Sequence, residues 1–291
     1  SEKIFTNLIS IIGSDANIKM AYRNLKSNKG SSTPGVDGKT FKDLAEMSEE
    51  ALVQCVRDKI LNYQPKAVRR VYIPKPNGKM RPLGIPTVLD RIVQQSVLQV
   101  MEPICEAKFY RHSYGFRPNK SAHQALKQAE IYINSGYKVV VDMDLEKFFD
   151  RVNHDKLMHL ISRKVSDKRV LKLVRGYLTA GVMTTGICVK SKEGTPQGGA
   201  ISPTLMNMTL DGLERLLKER LPTRKKVNGK THFNKMNFVR YADDFIVTGE
   251  SPEFSREEEL MYVLTNKEKC FGAAVILYPH VLSHIAGLLR G

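Results

Sequence analysis

Phe238-Val-Arg-Tyr-Ala-Asp-Asp-Phe-Ile-Val247 is an apolar run broken by a pair of adjacent carboxylates. Within Asn237 to Thr248 it reads as a strand, a tight turn and a second strand, with Asp243 and Asp244 at the turn. A turn can carry aspartate for purely conformational reasons, because the short side chain bonds to nearby backbone. The pair gains a second meaning from a stretch far upstream, Val139-Val-Val-Asp-Met-Asp-Leu-Glu-Lys-Phe-Phe-Asp150. Tyr137 to Leu145 reads as a strand, on which alternate side chains share a face, so Asp142 and Asp144 point the same way. Carboxylates ending an apolar strand are costly to bury unless a cation compensates. An aspartate at this strand end together with Asp243 and Asp244 would supply three hard oxygen ligands. Magnesium accepts a few carboxylates and leaves its other positions to water and phosphate. Two such ions suit phosphoryl transfer, which needs positioning and charge neutralisation more than covalent chemistry.

The charge distribution points to a polyanionic partner. The chain has 291 residues, is 42% hydrophobic and carries a net charge of +16, enough apolar content for one large core or two smaller ones. From Lys59 to Thr87 there are seven basic residues and no acid; from Arg215 to Arg240 there are nine against one. Such stripes are the footprint of a nucleic-acid binder, with an ordinary solvated surface as the bland alternative. Cys55, Cys105, Cys188 and Cys270 are far apart and lack metal-ligand spacing, which suits a reducing, cytoplasmic setting. The first ten residues show no signal-peptide layout. Cys270 to Leu289 has no charged residue, but Pro279 with its histidines and glycines favours a buried or disordered terminal segment over a membrane span.

Periodicity predicts a mixed order of helices and few strands, hence an α+β fold. Residues 13–40 are polar and turn-rich, and 41–61 are helical. Residues 68–83 form a hairpin joined at Pro76-Asn77-Gly78, and a long helix follows from Leu89. Residues 121–135 are helical with Ser121 as N-cap, and 153–180 hold one or two helices. A short strand pair spans Met183 to Val189, then a Gly-rich loop at 194–199. A helix from Ser202-Pro203 runs to about Glu219, and 222–236 is a basic loop.

Six motifs in order now resemble those of reverse transcriptases, over roughly residues 15–265. Tyr241-Ala-Asp-Asp resembles their YxDD box, and Asp144 with Phe149 their first carboxylate motif. Gly194-Thr-Pro-Gln-Gly-Gly-Ala-Ile-Ser-Pro203 resembles the loop and helix start between them. Pro34-Gly-Val-Asp-Gly38, Arg81-Pro-Leu-Gly-Ile-Pro86 and Tyr114-Gly-Phe-Arg-Pro118 are typical of the bacterial group II intron maturase branch. The resemblance implies a right-hand polymerase with fingers and an antiparallel palm sheet packed on helices. Residues 1–135 would be mainly fingers, 136–269 mainly palm, and 270–291 an atypical tail.

It also implies roles for single residues. Asp144 and Asp243 would hold two Mg2+ ions, with Mn2+ as a substitute, Asp244 supporting and Leu145 lending a backbone carbonyl. Asp142 is the weaker candidate. Phe149 would be a steric gate against a 2′-hydroxyl, or else an ordinary core ring. Lys75 and Arg81 would grip the triphosphate, and Gln197 would touch the nascent base pair. Arg69 would join Lys75 and Arg81 or touch the template, and Arg117 would meet template phosphate, with helix capping as an equal alternative. Gly35 and Asp37 would close a loop over the template, with a turn-only role equally open. RNA template, group II intron RNA, DNA primer and dNTPs are the implied partners. No membrane is implied, and self-association is left open. The departure is the end of the chain, where no thumb, maturase domain or endonuclease is recognisable. A non-catalytic scaffold for intron RNA is the alternative from another class; a metal nuclease leaves the 194–199 loop unexplained.

Overall fold

The structure is a computed structural model that describes residues 4–74, 78–146, 148–184, 186–196, 198–220, 224–227, 230–233, 236–250 and 274–278. In chain order the helices are α1 (Leu8–Ile12), α2 (Asp15–Lys26), α3 (Phe41–Leu44), α4 (Glu49–Leu61), α5 (Val88–Glu106), α6 (Ala122–Asn134), α7 (Phe148–Arg151), α8 (His154–Ser162), α9 (Lys168–Leu178), α10 (Ser202–Leu210) and α11 (Leu213–Arg220). The strands are β1 (Val68–Pro74), β2 (Met80–Ile85), β3 (Val139–Glu146), β4 (Val182–Thr184), β5 (Ile187–Val189), β6 (Arg224–Val227), β7 (Lys230–Phe233), β8 (Met236–Tyr241), β9 (Asp244–Gly249) and β10 (Ala274–Tyr278). Two compact units interleave along the chain, one of residues 1–107 with 149–208, the other of 108–148 with 209–291.

The first unit is mostly helical. α5 is its central element, with Ile92, Val93, Val97 and Met101 buried along one stripe against α2 and α4. Its four-stranded sheet runs β2-β1-β4-β5. β1 and β2 form the expected antiparallel hairpin, and β4 joins β1 in parallel through Val68 and Val182. Towards its tip the hairpin leaves the core, and Tyr72, Ile73 and Met80 are exposed.

The second unit is built on an antiparallel sheet in the order β10-β3-β9-β8. β3 pairs with β9 from Val139↔Gly249 to Met143↔Phe245, and β8 pairs with β9 down to Tyr241↔Asp244. Val141, Met143, Leu145, Phe245 and Val247 are buried on one face, as strand alternation requires. On the other face Val239 packs with Tyr114 and with Ala125 of α6, alongside Tyr132 and Ile246. Helix α6 begins at a capping box in which Ser121 and Gln124 satisfy each other's backbone amides.

Four expectations are corrected. The polar 13–40 stretch contains α2, whose Ile18, Ala21 and Leu25 are buried at helical spacing behind a Ser14 N-cap. The helix expected over 41–61 breaks in two, because Thr40 caps α3 and Ser48 restarts the chain as α4. The helix expected to run to Glu219 breaks at Gly212, whose φ of 81° is left-handed. The basic loop contains the paired strands β6 and β7. Of the tail, Ala274–Tyr278 pairs with β3 as an edge of the sheet. No helix among the described residues is long and apolar enough to cross a membrane.

Candidate nucleotidyl-transfer site

The register of the second unit's sheet brings the carboxylate positions together. β3 pairs with β9 as far as Met143↔Phe245, so Asp144 and Asp244 each lie one residue beyond the last pair. Asp243 lies in the two-residue turn that joins β8 to β9 after Tyr241. Asp142 falls opposite Ile246, one pair deeper in the sheet, and is half-buried. Asp243 is half-buried and Asp244 exposed. The Leu145 side chain is buried, and its backbone pairs with Val275 of β10.

Such a turn demands unusual backbone. Ala242 has φ 58°, a left-handed conformation that costs an L-residue roughly 1–2 kcal/mol. Several contacts hold it there. Arg240, buried on β8, donates from Nη1 to the Ala242 carbonyl at 2.9 Å. Burial pulls the Arg240 guanidinium down to about 10, against the opposing charges of Asp211 and Asp243, so it stays cationic at neutral pH. The Tyr114-Gly-Phe-Arg-Pro segment braces the same place from outside the hairpin. Tyr114 N–H donates to Arg240 O at 2.8 Å, and Arg240 N–H to His112 O at 3.0 Å. A Cβ on Gly115 would lie 2.8 Å from Ala242 Cα, so glycine is required for this approach.

The remaining predicted residues are placed as follows. Arg117 folds back on its own loop, donating from Nη1 to Tyr110 O at 2.7 Å and Ser113 O at 2.6 Å. In the first unit Arg69 donates from Nε and Nη2 to Pro34 O, at 3.0 and 2.8 Å, tying the hairpin to the 33–38 loop. Gly35 lies against Thr87, where a Cβ would be 2.6 Å from Thr87 Cα. Asp37 accepts from Lys39 N–H at 3.3 Å and faces Lys66 at 3.9 Å. Arg81 is exposed on β2 opposite Ile73. Phe149 is buried on α7, and its carbonyl accepts from Thr195 N–H at 2.7 Å. Lys75 and Gln197 lie outside the described residues, as does the side chain of Asp144.

Sequence reasoning missed Arg91, which is buried and donates to Gly30 O and Thr33 O at 2.9 and 2.5 Å. It also missed Gln94, Tyr177 and Arg240. All four sit on helices or strands, where an apolar neighbourhood masks the polar residue.

An antiparallel sheet with carboxylates on one strand and on the neighbouring hairpin turn, backed by a helix, is the palm of a templated polymerase. Residues 73–271 match the family model of "Reverse transcriptase (RNA-dependent DNA polymerase)", and the chain belongs to that family. It is 38% identical over 252 residues to protein YkfC of Escherichia coli (strain K12), covering 78% of this chain and 66% of that protein. It is 37% identical over 217 residues to the group II intron-encoded protein LtrA of Lactococcus lactis subsp. cremoris, covering 74% of this chain and 36% of LtrA. The chain thus spans less than two thirds of these relatives. In fold it is similar to telomerase from Candida albicans, with TM-score 0.52 and 14% identity, covering 79% of this chain and 45% of that one. It is similar also to a chain of a partial Cas6-RT-Cas1–Cas2 complex, with TM-score 0.50 and 19% identity, covering 90% of this chain and 42% of that one.

Proposed function

We propose that the chain is an RNA-directed DNA polymerase of the group II intron type, extending a DNA primer with dNTPs on an RNA template. The observation that supports this reading most is the sheet register. β3 pairs with β9 as far as Met143↔Phe245, one residue short of Asp144 and Asp244. β8 pairs with β9 as far as Tyr241↔Asp244, at the turn that holds Asp243. Asp144 and Asp243 are the proposed metal ligands, with Asp244 and the Leu145 carbonyl in support. The donor set is all oxygen, which fits Mg2+ and admits Mn2+. Bound there, two ions would supply the positive charge that favours the attacking 3′-oxygen and the leaving pyrophosphate.

The chain's own residues do the rest on this reading. Arg240 and Gly115 hold the turn that presents Asp243. Lys75 and Arg81 are proposed to bind the triphosphate, Arg through paired N–H donors and Lys as a point charge. Phe149 is proposed to exclude a 2′-hydroxyl, and Gln197 to touch the nascent base pair. Arg69, Gly35, Asp37 and Arg117 are proposed to act on the template side indirectly, by shaping the loops described above. Residues 1–135 would serve mainly as fingers and 136–269 mainly as palm. By likeness to LtrA, a group II intron RNA is the proposed natural partner.

Primer extension on an RNA template with magnesium and dNTPs tests the reading. Incorporation is expected, and Asp243→Ala is expected to abolish it. Full activity in that variant would sink the assignment. RNA binding without any incorporation would favour a scaffold role.

A further inference from the structure

The described residues of the 194–200 loop are held near both ends, in part by residues that no motif marks. At its start, Gly194 N–H donates to Val152 O at 2.8 Å and Thr195 N–H to Phe149 O at 2.7 Å. His154 Nε2 lies 2.6 Å from Gly194 O. This end is therefore hydrogen-bonded to the backbone of the proposed gate residue.

At its far end the loop meets two helices. The Tyr177 hydroxyl on α9 donates its one proton to Ser202 Oγ and lies 3.2 Å from Pro196 O. Ser202 Oγ in turn donates to Pro196 O at 2.8 Å. Gln94 Oε1 on α5 accepts from Ala200 N–H at 3.1 Å. Tyr177, Ser202 and Gln94 are 2%, 1% and 3% exposed, so water does not compete for these bonds. A Cβ on Gly199 would overlap the Tyr177 hydroxyl and lie 2.8 Å from its Cζ and 2.9 Å from Gln94 Oε1. The glycine is thus matched to the phenol: the hydroxyl occupies the space that a methyl would need.

We propose that Tyr177 is a positioning residue whose hydroxyl, through Pro196 and Ser202, fixes the loop against the Phe149 segment and so sets how tightly the incoming nucleotide is held and matched. This inference rests on the function proposed above. It separates Tyr177 from an ordinary core tyrosine, because the ring fills the core while the hydroxyl serves the loop. Burial also pushes the phenol's pKa up, so it remains a donor across the physiological range.

Tyr177→Phe in the full chain keeps the ring and removes one oxygen. Losing one buried hydrogen bond corresponds to about a 3- to 10-fold change in an equilibrium. Primer extension is expected to show KM for dNTP raised by about that factor and misincorporation raised with it, while kcat stays within about twofold. Amide exchange at Gly199 and Ala200 is expected to accelerate. Gly199→Ala, which displaces the hydroxyl, is expected to reproduce the KM change. A variant with unchanged KM and misincorporation but a lower melting temperature would overturn the inference, leaving a structural tyrosine. If the wild-type chain extends no primer, the proposed function fails instead. Amide exchange still tests the loop then, and unchanged rates would overturn the clamp.

Discussion

Gly115 and Ala242 meet backbone to backbone, so that the loop before α6 and the carboxylate turn are packed as one piece. A methyl group on Gly115 has no room, because the atoms it meets are main chain rather than the end of a flexible side chain. Gly115→Ala is expected to destabilise the protein by about 1–3 kcal/mol and lower kcat for primer extension at least about tenfold. Ala242→Gly relieves a left-handed alanine and is expected to stay within about 1 kcal/mol of the parent, with extension retained. Thermal melting and steady-state extension check both. A Gly115→Ala protein as stable and active as the parent would show the contact to be loose.

Asp142 and Asp144 share a face of β3 but not a position relative to the turn. Asp144 and Asp244 each lie one residue beyond the last β3–β9 pair, Met143↔Phe245, whereas Asp142 lies within the ladder opposite Ile246. Asp144→Asn is expected to reduce incorporation by about a thousandfold or more, the scale of losing a principal charge-stabilising group. Asp142→Asn is expected to stay within about tenfold. Equal losses in single-nucleotide incorporation would mean that the ligand set extends deeper into the sheet.

Phe149 is buried, and its side chain can be shortened without removing the carbonyl that Thr195 uses. Phe149→Ala is expected to admit ribonucleotides, raising their use relative to dNTPs by about 10- to 100-fold, as opening a packed pocket allows. Competition between rNTP and dNTP in extension assays reads this ratio. Unchanged sugar discrimination would return Phe149 to the status of a core ring.

His112 supplies a pH dependence. Burial, with Arg111 and Lys120 nearby, depresses its pKa to about 4, and its Nε2 has no hydrogen-bond partner among the described residues. The unfolded chain therefore binds a proton between about pH 6.5 and 4 that the folded chain does not, so stability must fall as pH falls through that window. His112→Phe is expected to flatten the part of the slope due to this group. Urea unfolding at pH 6.5 and 4.5 measures it, and an unchanged slope would exclude His112 as a contributor.

Strands β3, β8 and β9 and their carboxylates were legible in the sequence because both signals are local. Alternation over Val139–Leu145 and the apolar flanks of Asp243-Asp244 need no knowledge of the rest of the chain. Helix α2 was not legible, since three small or aliphatic residues on a polar background give a faint period that only burial against α5 makes meaningful. The strand at Ala274–Tyr278 was hidden differently. An apolar run of that length fits a strand or a buried segment equally, and pairing with β3 settled it.

The sequence by itself determined the chemistry on offer: carboxylates ending apolar strands, a basic hairpin and a Gly-rich loop, each encoded within a few consecutive residues. Tertiary structure alone decided which backbone stands level with which. It set Met143 opposite Phe245, Gly115 against Ala242, and the Tyr177 hydroxyl where a Gly199 side chain would be. The physical reason is that residue type fixes what a side chain can bind. Register and close packing depend on segments far apart in the chain, whose meeting no local pattern records.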